Sequence, residues 1–116
     1  MKIGVACGGT GGHIFPGLAT AHELQRRGHN VSLWLAGKQV ESAAVQGWSG
    51  PVITAQAEGF ENGVSIRSLG TLLKLWSAVR ACTRAMRAEP PAVLLAMGSY
   101  ACVGPLGAAV RCRVPY

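Results

Sequence analysis

Four glycines around a threonine, Gly8-Gly9-Thr10-Gly11-Gly12, run directly into an imidazole, His13. Backbone that lacks a Cβ lets an anion approach closely. The free N–H groups at the start of a following helix point toward such an anion, and the helix dipole favours its charge. The run therefore predicts a phosphate or diphosphate as guest, and the simpler alternative is a tight turn with no ligand. A helix N-terminus disfavours a cation, so a neutral His13 ring able to accept a proton is expected there, as a general base acting on a sugar hydroxyl requires. Capping the helix or bonding a loop carbonyl would satisfy the same ring, and both roles stand open. A second run, Met97-Gly98-Ser99-Tyr100, offers a hydroxyl and a phenol beside glycine. Tyr100 suits sugar or diphosphate binding and packing equally well.

The first run departs from the dinucleotide-binding fingerprint. Ile14 stands where the third glycine belongs, and the second strand ends Leu35-Ala36-Gly37-Lys38 without the ribose-binding acid. The Gly-Lys-Ser/Thr ending of a P-loop is also missing. These departures argue against a nucleotide-dependent dehydrogenase and against an ATPase.

Strands and helices must alternate to place the two runs. The apolar stretch Ile3 to Cys7 reads as a buried strand, followed by a helix from about Phe15 or Pro16 to Arg27 that stops at Gly28. Asn30 to Ala36 supplies a second strand. Gln39 to Gln46 has helical composition, Pro51 to Ala55 reads as a third strand, and Gln56 to Ser68 as a long loop. Leu69 to Ala88 is helical up to Pro90-Pro91, Ala92 to Met97 is a continuous apolar strand, Pro105 opens a helix, and Val114-Pro115-Tyr116 begins another strand. The predicted fold is α/β, a Rossmann-like open parallel sheet with helices on both faces. In such sheets ligands sit beyond the carboxyl ends of the strands, where both glycine runs fall.

With 116 residues the chain is one domain, 49% hydrophobic and 14% charged. No uninterrupted apolar run approaches the ~18–20 residues of a membrane span, so a soluble domain with an apolar surface is expected. Met1-Lys2 and the short strand-like run after it are not expected to be a signal peptide. Eleven Lys and Arg against five acids give a charge of +6, with the bases concentrated between Arg67 and Arg87 and a smaller pair at Arg111 and Arg113. Such a cluster suits an anionic membrane or a polyphosphate; with 6% aromatic residues and no reading motif, nucleic acid is not an expected partner. Cys7, Cys82, Cys102 and Cys112 show no paired spacing and are expected to be reduced core or loop thiols. His22 and His29 are expected at the surface.

The helix from Leu69 carries an apolar arc of about half its circumference, wider than one sheet face needs. Leu75, Val79, Cys82 and Met86 form the stripe suited to the sheet, and Leu69, Leu73 and Trp76 the adjoining one. Lys74, Arg80, Arg84 and Arg87 lie outside the arc or at its edges. The second stripe either meets an anionic lipid surface or packs under the Gln56 to Ser68 loop.

Gly8 to Ala19 resembles the first glycine loop of the MurG family of glycosyltransferases, which add N-acetylglucosamine to lipid I in peptidoglycan synthesis. Met97 to Pro105 resembles that family's second loop, with Ser99 where the pattern usually has glycine. The likeness covers the whole chain but only the amino-terminal half of the enzyme. It implies a GT-B architecture in which residues 1–116 form the acceptor-binding domain, the C-terminal donor-binding domain lies outside this chain, and the isolated chain is inactive. It implies an inverting, metal-independent reaction without cofactor at the cytoplasmic face of the bacterial inner membrane. Thr10, Gly11 and Gly12 match donor-contacting positions for UDP-N-acetylglucosamine, most of which the other domain holds. Gly8, Gly9, Gly98, Ser99 and Tyr100 would face the acceptor's diphosphate, with His13 as the catalytic base. Leu69, Leu73, Lys74, Trp76 and Arg80 would form a peripheral membrane patch. The alternative is a stand-alone polyisoprenoid-phosphate-binding module or the membrane subunit of a split glycosyltransferase.

Overall fold

Runs of β-branched and aliphatic residues bounded by glycine or proline form four short strands: β1 (Lys2–Ala6), β2 (Asn30–Leu35), β3 (Val52–Thr54) and β4 (Val93–Ala96). The computed structural model describes residues 1–9, 11–37, 43–55 and 69–116. All four strands are parallel, in the order β3-β2-β1-β4, with Ile3 opposite Val31 on one side and Val93 on the other. Three helices are fully within the described residues, α1 (Gly11–Arg26), α2 (Leu69–Ala88) and α3 (Val103–Cys112), the last preceded by a 3-10 turn, Tyr100–Cys102.

Two cores follow from the period-2 alternation of the strands. Ile3, Val5, Val31, Leu33 and Leu35 meet Ile14, Leu18 and Ala21 of α1 on one face. Ala6, Trp34 and Leu94 meet Cys82 and Met86 of α2 and Ala108 and Ala109 of α3 on the other. β1 is accordingly apolar from Ile3 to Ala6 and β2 from Leu33 to Leu35, where both of their faces are covered.

Several boundaries differ from the sequence expectation. Helix α1 begins at Gly11, before Phe15, and Pro16 lies inside it. At that depth proline removes a single ladder bond, to the Gly12 carbonyl, and the helix continues through it. Helix α3 begins at Val103, so Pro105 occupies its first turn, where a missing N–H costs nothing. The last three residues are not a strand, although Leu94 N–H donates to Pro115 O at 2.9 Å beside β4. Ala43 and Ala44 are helical within the expected Gln39 to Gln46 helix; its other end and the Gln56 to Ser68 loop lie outside the described residues. His22 is exposed but sets its ring edge-on to Trp48, with centroids 5.3 Å apart. His29 is half-buried, with Nδ1 enclosed. His22 is thus at the surface as expected, whereas His29 is only partly so.

None of the four cysteines is in a disulfide, and Cys7, Cys82 and Cys102 are buried. Burial pushes the Cys82 thiol up to about 12 and also raises Cys102, which removes the thiolate needed for reaction. Ellman titration of the native protein is expected to detect Cys112 alone within minutes and all four thiols in denaturant. Rapid labelling of Cys82 in the native state would contradict the packing of α2 on the sheet.

Candidate functional site

The strand order reverses direction at β1: the chain steps outward through β2 and β3, then returns to place β4 on the other side. A crevice opens at the carboxyl ends of strands flanking such a switch point. Both glycine loops leave these two strands. Gly8 and Gly9 follow β1, and Gly98 and Ser99 follow β4, with Met97 N–H bonded to Ala6 O at 2.9 Å.

Three side chains tie the loops together. Ser99 Oγ donates to Gly8 O at 2.9 Å and accepts the Ala101 N–H at 3.2 Å. The Cys102 thiol lies 2.9 Å from Gly98 O and 3.3 Å from Ala6 O. His13, on the first turn of α1, sets its ring against Gly98, where an added Cβ would come within 3.2 Å of Cδ2 and 3.3 Å of Nε2. Gly98 therefore allows the close approach of the imidazole as well as its own φ of 103°.

Ser99 has φ 72° and ψ 165°, a region that is almost entirely glycine's. Holding serine there costs about 1–3 kcal/mol. Its two side-chain hydrogen bonds, at about 1 kcal/mol each, offset that cost. The departure from the glycine pattern is thus tolerated because the hydroxyl is used twice.

The structure brings Gly8, Gly9, His13, Gly98 and Ser99 into one cluster. Gly8 and Gly9 are buried, Gly12 and Gly98 exposed and His13 half-buried. Tyr100 is half-buried against Ala36 and Ala101 at the end of β2. Thr10 lies outside the described residues, and Gly11 opens α1.

A second surface lies on α2. Leu72, Leu73 and Trp76 are 48, 62 and 53% exposed, with Lys74 and Arg80 exposed beside them and the Arg80 guanidinium 5.0 Å from the Trp76 ring centre. The backbone of Leu69 opens the helix, and its side chain lies outside the described residues. Trp76, Arg80, Thr83, Arg84 and Arg87 line a groove of about 470 Å³ together with Arg111 of α3. Sequence reasoning had left out Leu72 and had not joined Arg111 to this row, because only the packing of α3 on α2 brings it there. No described helix is long and apolar enough to cross a membrane.

The glycosyltransferase family 28 N-terminal domain profile matches residues 3–116. The chain belongs to that family. Among its family relatives, the protein of Halorhodospira halophila named UDP-N-acetylglucosamine–N-acetylmuramyl-(pentapeptide) pyrophosphoryl-undecaprenol N-acetylglucosamine transferase is 39% identical over 94% of this chain and 30% of its own length. The protein of the same name from Albidiferax ferrireducens is 40% identical over 83% of this chain and 26% of its own. The crystal structure of Acinetobacter baumannii MurG superposes with a TM-score of 0.82 at 30% identity, covering 98% of this chain and 33% of that one. CalG4, the calicheamicin glycosyltransferase, shares the fold at a TM-score of 0.64 and 20% identity. This member of family 28 therefore spans about a third or less of the length of these relatives, and it has the Rossmann-like fold of the family's N-terminal domain.

The site also shows what the sequence reading missed. Gly17 packs α1 on β1, with an ideal Cβ only 2.2 Å from Cys7 Cβ. The third glycine of a phosphate-binding βαβ unit provides close helix–strand packing, and here that role falls to Gly17, one helical turn beyond Ile14. The signal was present as a glycine inside an apolar helical run.

Proposed function

We propose that this domain is the acceptor-binding half of an inverting glycosyltransferase that moves N-acetylglucosamine from UDP-N-acetylglucosamine onto an undecaprenyl-diphosphate-linked muramyl acceptor. The observation that carries this reading is the meeting of two glycine loops at the switch point with a histidine wedged between them. Gly8, Gly9, Gly98 and Ser99 provide backbone for the acceptor diphosphate, Thr10, Gly11 and Gly12 touch the donor, and Tyr100 borders the cradle. His13 takes the proton from the attacking sugar hydroxyl as its oxygen bonds to the anomeric carbon. UDP departs with the electrons of the broken bond, and the anomeric centre inverts. A second domain supplies the other wall of the cleft and most of the donor contacts.

Titrating the chain with a short-chain, water-soluble version of this acceptor tests the reading by NMR. Amide shifts are expected at Gly8, Gly9, Gly98 and Ser99, with UDP-N-acetylglucosamine alone shifting them little. Acceptor-induced shifts confined to residues away from both loops would overturn it.

The exposed apolar and basic surface of α2 supports peripheral attachment to the cytoplasmic face of the bacterial inner membrane. Full burial of an apolar side chain contributes about 1.5–3 kcal/mol, and each nearby base on the order of 1 kcal/mol at low salt. Trp76→Ser is expected to weaken co-sedimentation with anionic vesicles about tenfold or more while leaving the melting temperature unchanged, since a half-exposed ring leaves no cavity. Lys74→Glu is expected to weaken binding chiefly at low ionic strength. A Trp76 variant that loses several kcal/mol of stability and still binds vesicles normally would place the ring in the core.

A further inference from the structure

Ser99 stands where the two loops touch. Its hydroxyl reaches across 91 positions of sequence to Gly8 O, and a Cβ at Gly9 would stand 3.0 Å from Ser99 Oγ. The first loop thus closes tightly over this one hydroxyl. On its other side Ser99 is bonded to Gly98, the residue against which the His13 ring rests. The bonds to Gly8 and Ala101 occupy the Ser99 proton and one of its lone pairs.

We propose that Ser99 is a positioning residue, a latch that clamps the second glycine loop onto the first and fixes the seat of His13 on Gly98 before any ligand arrives. The inference rests on the diphosphate reading of the two loops and deepens it: Ser99 acts on the guest through the backbone it holds. Glycine-rich backbone has wide conformational freedom, and ordering it on binding opposes affinity. A side chain that orders both loops in advance removes part of that cost. The left-handed backbone at Ser99 fits this role, because it turns the hydroxyl toward Gly8 in a conformation that glycine could adopt without strain but could not latch.

The test uses the chain itself with inorganic pyrophosphate as probe, measured by calorimetry, together with 15N relaxation of the loop amides. Ser99→Gly keeps the backbone conformation accessible, so the variant should fold. Gly107→Ala serves as the stability control, since its Cβ would press on Val79 at 2.8 Å in the contact between α2 and α3, outside both loops. Ser99→Gly is expected to lower the order parameters of Gly8, Gly9 and Gly98 and to weaken pyrophosphate binding by about three- to tenfold. Gly107→Ala is expected to lower the melting temperature and change neither quantity. Unchanged order parameters in Ser99→Gly would remove the latch. Loosened loops with affinity within twofold of the parent would remove its positioning role, and equal weakening by Gly107→Ala would reduce it to general stability. If the parent chain binds no pyrophosphate, the diphosphate reading fails, and relaxation still decides whether Ser99 joins the loops.

Discussion

Gly17→Ala is expected to destabilise the domain by about 3 kcal/mol, at the upper end of the range for overpacking, and to lower its melting temperature by roughly 10–20 °C. The added methyl would lie 2.2 Å from Cys7 Cβ and 2.8 Å from its sulfur. Cys7 is fully buried just after β1. The clash involves an atom bonded directly to the backbone, so relief requires α1 to move away from the sheet. That movement would carry the first turn of α1, and His13 with it, away from Gly98. Gly70→Ala provides the contrast. Among the described residues nothing lies within 4 Å of its added Cβ, and replacing a helical glycine by alanine stabilises by about 0.5–1 kcal/mol. Thermal melts of the two variants should shift in opposite directions. A Gly17→Ala protein that melts with the parent would contradict the close approach of α1 to β1.

If His13 is the general base proposed above, His13→Gln is expected to lower kcat about 10²–10⁴-fold in the proposed two-domain enzyme, the range for loss of such a group. Glutamine retains hydrogen-bonding groups near the size of imidazole but accepts no proton at working pH. If His13 serves only to cap α1 or brace Gly98, His13→Gln should retain most of the rate, whereas His13→Ala should lose stability. The two roles left open by the sequence therefore separate in one pair of variants. The pH profile adds a second criterion: the limb of kcat/KM that reports the free base should vanish in His13→Gln. A variant with parental kcat and an unchanged profile would transfer the base role to another group.

Much of the fold was legible because it depends on local rules. Continuous apolar runs at Ile3 to Cys7 and Ala92 to Met97 point to buried strands of a parallel sheet, and the glycine turns after them fall at the carboxyl ends of those strands, on one sheet edge. Trp76 could be singled out because the apolar arc of its helix is wider than a sheet can cover. Boundaries were less legible. Pro16 and Pro105 mark a first turn equally well from one or several residues inside it, and the ladder bonds that decide this lie outside the proline itself.

By itself the sequence determined the alternating parallel architecture, the two glycine loops, the candidate histidine and the family to which they belong. Only the tertiary structure decided that Gly17 is the packing glycine, that Ser99 bonds Gly8, that His13 rests on Gly98, and that Arg111 completes the row begun by Arg80. Each of those facts joins residues far apart in the chain or depends on distances of a few ångström between helix and strand. Periodicity assigns a residue to a face of its own element, whereas the neighbour it meets across the core is set by strand order and by how closely the helices approach the sheet.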